Sequence, residues 1–138
     1  TELTNSKSYL DSLLGEPTKL FVTPYCESNA SVESAAQALY QSVRNCEPAV
    51  NVKASFNRWS LKSLIVENTT TDAQILNMIN QAKASNGWLI LVWHEIDGDN
   101  KNAWSVSKAT LTRQLQLIKD SGITVVPTQT AINESMGL

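Results

Sequence analysis

Histidine is almost absent from this chain, with one in 138 residues, so no site built from several histidines can come from it alone. Cysteine is scarce as well. Cys26 and Cys46 are the two in the sequence, too far apart for a C-x-x-C pair, and spacing leaves open both a single disulfide and two free thiols. A bridge between them would contribute about 3 kcal/mol for a loop of roughly 20 residues. Charge of one sign is missing: 11 Lys plus Arg against 13 Asp plus Glu give a net charge of −2. That balance offers no field for phosphate backbones or anionic lipid, so nucleic acid is not an expected partner. No apolar run approaches the roughly 18 residues of a membrane helix, and no basic stretch followed by an apolar one opens the chain. The expectation is a soluble chain without a membrane span, such as the mature part of an exported protein. A phosphate-binding glycine loop and a serine elbow are also lacking.

What remains is ordinary globular material, 42% hydrophobic and 17% charged, enough for one small domain. Residues 1–138 read as a single segment. Tyr9, Leu10, Leu13 and Leu14 form one helical stripe, with Thr4 or Asn5 to cap it and Gly15 to stop it. Leu20-Phe21-Val22-Thr23 is β-rich and ends at Pro24. Val32, Ala35, Ala36, Leu39, Tyr40 and Val43 predict a helix over about 31–45. Residues 50–56 read as a half-buried strand, and 57–68 as irregular chain anchored by Leu61, Leu64 and Ile65. Thr71 and Gln74 make a capping box for a helix running to about Ser85. Residues 88–93 form a six-residue apolar run closed by His94, the pattern of a strand covered on both faces. A polar loop over 95–103 follows, then a helix capped by Ser105 or Ser107 with Leu111, Leu115 and Ile118 inward. Gly122 ends it. Residues 123–126 read as another buried strand, and Thr128 caps a closing helix. Helices alternating with about four strands predict an α/β fold with parallel strands and outer helices. Half of a barrel and an open three-layer sheet both fit that order.

In parallel α/β folds ligands meet the carboxyl ends of the strands. His94 stands at such an end. With a period of two, Trp88, Ile90, Val92 and His94 share one face, while Leu89, Leu91 and Trp93 share the other. An imidazole at that mouth suits proton transfer near neutral pH, and it suits equally a strand-end hydrogen bond. Pro24-Tyr25 closes an earlier strand at the same end. The backbone N–H groups there can point at a ligand oxygen, and the Tyr25 ring can line a substrate groove or fill a turn. Trp59, in Asn57-Arg58-Trp59, fits sugar stacking or a structural role, as does Trp104; Trp93 belongs to the helix-facing side. Glu95, Asp97 and Asp99 are the acids near His94; Asp97 and Asp99 alternate like oxygen ligands but fail the calcium-loop spacing, and although two carboxylates with one histidine would make a weak metal site, they read rather as solvated loop charges.

Several of these stretches together resemble the C-terminal half of a NodB-type polysaccharide deacetylase domain, carbohydrate esterase family four. Phe21-Val22-Thr23-Pro24-Tyr25 resembles the family strand that reads approximately F-R-P-P-Y. Residues 88–96, Trp-Leu-Ile-Leu-Val-Trp-His-Glu-Ile, resemble the late strand ending in L-x-H. Ser105-Val106-Ser107 with Leu111, Leu115 and Ile118 resembles the approach to the last crossover helix, and residues 122–128 resemble the closing strand. The segment from Trp59-Ser60-Leu61 to Thr70-Thr71 is similar to the extracellular subset.

The resemblance implies the C-terminal half of a deformed (β/α)7/8, TIM-like barrel. It implies a secreted, extracellular or periplasmic hydrolase that uses a divalent metal, zinc foremost, to cleave the carbon–nitrogen bond of acetyl groups on a polysaccharide. His94 would be the general acid that protonates the leaving group. The Tyr25 backbone N–H would hold the oxyanion, and Tyr25 and Trp59 would touch the polysaccharide or oligosaccharide substrate. The family's Asp-Asp and H-x-x-x-H metal motifs do not occur here, so no metal ligand is assigned to this chain. A second chain or segment carrying the N-terminal barrel half is the implied partner, and the isolated chain is expected to be inactive. Val22 and Thr23 replace the family's arginine and first proline, and Cys26 its glycine. Those departures keep a catalytically inactive carbohydrate-binding or structural relative as the alternative.

Overall fold

The computed structural model describes residues 2–98 and 102–137. They form a mixed α/β structure of five α-helices and short parallel strand pairs, gathered into two compact units. The first unit holds the chain up to Asn45 together with Asn57–Leu61, and the second holds Cys46–Phe56 and the chain from Lys62 onward. Among the described residues the strands form three separate two-stranded sheets and do not close into a barrel.

In the first unit, α1 (Glu2–Leu14) is followed by β1 (Leu20–Val22), α2 (Ala30–Leu39) and β2 (Ser42–Arg44). The α1 stripe expected to be buried is not: Tyr9, Leu10, Leu13 and Leu14 are all exposed, and Thr4 and Asn5 lie inside the helix rather than capping it. Asn29 caps α2, its side chain accepting the N–H groups of Ser31 and Val32 at 3.0 Å. The helix read over 31–45 stops at Leu39, because the chain turns extended at Tyr40 and Ser42–Arg44 pairs in parallel with β1. Val43 fits the helical spacing of α2 but is buried from β2 instead: tertiary pairing has overridden local periodicity. On its other edge β2 meets residues 58–61, with Val43 N–H donating to Arg58 O at 2.8 Å and Leu61 N–H to Val43 O at 2.9 Å. Ala36, Tyr40 and Val43 form the core, packed by Phe21, Leu39 and Trp59.

In the second unit, residues 50–56 are not a strand. Asn51 makes one antiparallel bridge to Trp88, and Lys53–Ser55 is a 3-10 turn. The stretch read as irregular contains β3 (Leu64–Ile65), parallel to β4 (Leu91–Val92). The capping box of α3 (Asp72–Ala84) forms as read, with Gln74 N–H on Thr71 Oγ1 at 3.2 Å and Thr71 N–H on Gln74 Oε1 at 2.7 Å. The loop expected over 95–103 begins with β5 (Glu95–Ile96), parallel to β6 (Ser105–Val106). Ser107, one of the two serines read as caps, opens α4 (Lys108–Asp120) by accepting from Thr110 N–H at 3.0 Å. Gly122 ends α4 at φ 68°, a conformation that disfavours side chains. Residues 123–126 are not the buried strand expected: they join no ladder, and Val125 is 76% exposed. Pro127, not Thr128, precedes α5 (Thr128–Met136) as its cap residue. The core is Val66, Ile75, Ile79 and Val106 under Leu89, Leu91, Trp93, Leu111, Ile118 and Ile123.

Of the strand read over 88–93, Leu91–Val92 alone pairs as β4, and residues 88–93 are half-buried rather than covered on both faces. Leu89, Leu91 and Trp93 pack on the α3–α4 side, as the alternation predicts, and Ile90 and Val92 take no part in that cluster. Both cysteines are disulfide-bonded, so the pairing that spacing left open is formed.

Candidate functional site

The candidate residues fall into two groups, each at the carboxyl end of a parallel strand pair. In the first unit, β1 runs into Thr23 and the turn Pro24–Cys26. Tyr25 and Cys26 both adopt positive φ, 54° and 62°, a costly conformation for residues with side chains, and the Tyr25 ring is 96% exposed. Two consecutive strained residues with a fully presented aromatic ring are hard to explain by packing. The N–H groups of Cys26 and Glu27 close the turn onto Thr23 O and Pro24 O at 3.3 and 3.1 Å, and no described residue accepts from the Tyr25 N–H.

Beside that turn lies a hollow of about 130 Å³ at the carboxyl ends of β1 and β2. Thr23, Asn45, Glu33 and Gln37 supply hydroxyl, amide and carboxylate groups to its wall, and Trp59 supplies the aromatic surface. Trp59 is half-buried against the first unit's core, with its N–H on Asn57 Oδ1 at 3.0 Å and the Arg58 guanidinium 4.4 Å from its ring centroid. Trp59 thus packs on the core and lines the hollow at once. Glu33 and Gln37 were not singled out in the sequence. Their i, i+4 spacing on α2 was the available signal, hidden among ordinary helix-surface polar residues.

In the second unit, His94 lies two residues past the end of β4 and is exposed, its ring centroid 6.3 Å from that of Trp104, itself exposed. The imidazole does not join the helix layer. Its neighbour Trp93 does, donating its indole N–H to Gln114 of α4 at 2.9 Å. The loop acids have structural partners: Glu95 accepts from Asn102 Nδ2 at 2.8 Å, and Asp97 accepts from Lys108 N–H at 2.5 Å. Asp99, the other alternating acid, lies outside the described residues. Among the described residues no three of His, Cys, Asp and Glu converge as a metal-ligand group. Another hollow, about 490 Å³, is at the amino end of β4, lined by Trp88, Asn86 and Glu134.

Tyr25 and Trp59 thus belong to one unit and His94 to the other. Among the described residues no helix is long and apolar enough to cross a membrane. Comparison of the chain with protein-family models, with curated proteins and with solved structures finds no match.

Proposed function

We propose that this chain is the C-terminal part of a polysaccharide deacetylase-like hydrolase of the NodB type, half of a deformed TIM-like barrel, acting in an extracellular or periplasmic setting. The observation that carries the reading is the placement of His94: an exposed imidazole two residues beyond the carboxyl end of a parallel strand, next to Trp93, which is anchored to Gln114. In this reading water adds to the acetyl carbonyl carbon, and His94 gives its proton to the leaving nitrogen as the amide carbon–nitrogen bond breaks and acetate is released. The Tyr25 N–H, for which no acceptor is found among the described residues, is the oxyanion donor that the family resemblance implies, since a fixed backbone dipole stabilises developing charge. The Tyr25 ring and the Trp59 hollow bind the saccharide chain. The disulfide supports an oxidising location.

A divalent metal, zinc foremost, belongs to the proposal but not to this chain. The described residues offer it no ligand group, so a segment carrying the N-terminal barrel half would have to hold it. That segment is the proposed partner, and without it the chain is inactive. The half-buried state of residues 88–93 supports a missing cover.

The test measures acetate release from an N-acetylated aminosugar oligomer by the polypeptide in which this chain is joined to a metal-binding N-terminal half. The expected result is metal-dependent release that His94→Ala lowers by about 10²–10⁴-fold. Unchanged release after that substitution would overturn the role of His94. Saccharide binding without turnover, lost on Trp59→Ala, would instead establish the inactive carbohydrate-binding relative, the reading that the polar hollow beside Trp59 favours.

A further inference from the structure

We propose that the second unit contains a strand-accepting slot, in which an extended peptide with apolar side chains at alternate positions, contributed by another polypeptide segment, inserts between β4 and residues 123–126. β4 is paired on one edge alone: Leu64 N–H donates to Ile90 O at 2.9 Å and Val66 N–H to Val92 O at 2.8 Å, in a sheet of two strands. In a parallel ladder the backbone groups of alternate residues face the same neighbour. Ile90 and Val92 face β3, so the N–H and C=O groups of Leu89, Leu91 and Trp93 face the other way.

Residues 123–126 run outside any ladder. The Ile123 N–H is satisfied locally by Ser121 Oγ at 3.2 Å, while no described residue accepts from the N–H groups of Thr124, Val125 or Val126. Both segments line a cavity of about 290 Å³, bordered by Leu89, Leu91, Trp93, Ile118, Thr124 and Val125 among others. Its lining is mostly apolar, and among the described residues no acceptor is found for the N–H groups of Leu89, Leu91, Thr124 and Val125 along it. The combination selects the occupant. A helix has its own backbone groups satisfied, and an apolar small molecule or lipid would leave these groups unpaired as it displaced water. A strand satisfies them while burying alternate side chains against α3 and α4, the chemistry of β-augmentation. This slot is an alternative to the direct pairing of β4 with residues 123–126 that the barrel reading implies, and His94 takes no part in it.

The test uses the whole chain and two probes: a capped hexapeptide of alternating threonine and valine, and the same peptide N-methylated at alternate amides. The expected result is binding of the first peptide but not the second. Amide exchange at Leu91 and at alternate positions of 123–126 should slow at least tenfold, with no change at Ile79. One of Thr124→Pro and Val125→Pro should abolish binding, since each removes one amide of residues 123–126. Equal binding of both peptides, or no binding of either, would overturn the proposal without any variant. So would slow exchange at Leu91 and Val125 in the chain alone, because the two segments would then already pair with each other. Concentration-dependent dimerisation abolished by the same prolines would assign the slot to a second copy and overturn the occupant named here.

Discussion

The indole N–H of Trp93 donates to Oε1 of Gln114 at 2.9 Å, and Gln114, in the middle of α4, is completely buried. The same glutamine's Nε2 reaches Thr70 O at 3.4 Å, so the amide links the end of β4 to the approach to α3. A buried polar group costs free energy unless it is paired, and here one side chain satisfies the indole and is itself satisfied. Trp93 is thereby fixed on the helix side, and the alternation of an extended chain turns the next residue, His94, away from it.

Gln114→Leu leaves the indole N–H buried without an acceptor. The expected loss of stability is about 1–3 kcal/mol, read by urea unfolding. Trp93→Phe in the same background should recover much of it, because the unsatisfied donor is then gone.

Cys26→Ser with Cys46→Ser removes a crosslink whose loop contains α2 and β2. A loss of about 3 kcal/mol is expected, with a matching fall in Tm that mild reduction of the wild-type chain reproduces. A double variant as stable as the parent would show that the bridge constrains nothing in the unfolded chain.

Tyr25→Gly tests whether the strained turn serves binding rather than folding. Glycine relieves a left-handed conformation worth about 1–2 kcal/mol and loses no packing from a ring that is 96% exposed, although it adds freedom to the unfolded chain. Stability should stay within about 1 kcal/mol of the parent, while saccharide binding by the joined polypeptide falls. Lost stability with intact binding would make the turn structural.

Asp11 supplies the pH dependence. Its carboxylate accepts from Lys7 Nζ at 2.8 Å and from Thr18 Oγ1 and N–H at 2.6 Å each, fastening α1 to the approach to β1. These partners, the Lys7 hydrogen bond foremost, hold its pKa at about 2, below the ordinary 3.8. A folded-state pKa below the unfolded one adds stability that is fully present above the unfolded value and is lost as pH falls through the folded value. Between about pH 4 and pH 2 the α1 amides should therefore lose exchange protection, and Asp11→Asn should abolish that pH dependence and already show at pH 7 the lower protection that the parent reaches near pH 2.

The features that local chemistry dictates were legible in the chain: the Thr71–Gln74 capping box, the ends of α3 and α4, Gly122 as a stop, and the facing of Leu89, Leu91 and Trp93. Each depends on residues a few positions apart, where hydrogen-bond reach and side-chain period decide the outcome. The strands Ser42–Arg44, Leu64–Ile65 and Glu95–Ile96 were not legible, because a two- or three-residue strand carries too little periodicity and exists only by virtue of its partner. The same holds for the apolar residues left exposed on α1 and over 123–126, whose sequence says that they are fit for burial but not what buries them. In the candidate site, the sequence singled out His94, Tyr25 and Trp59 as chemical groups. Tertiary structure alone decided that the imidazole is exposed while its neighbour is anchored, that the Tyr25 turn is strained, and that Glu33 and Gln37 join Trp59 around one hollow. The reason is physical: residue type fixes what a group can donate, accept or stack on, whereas its solvent access and partners are set by chain segments far away in sequence.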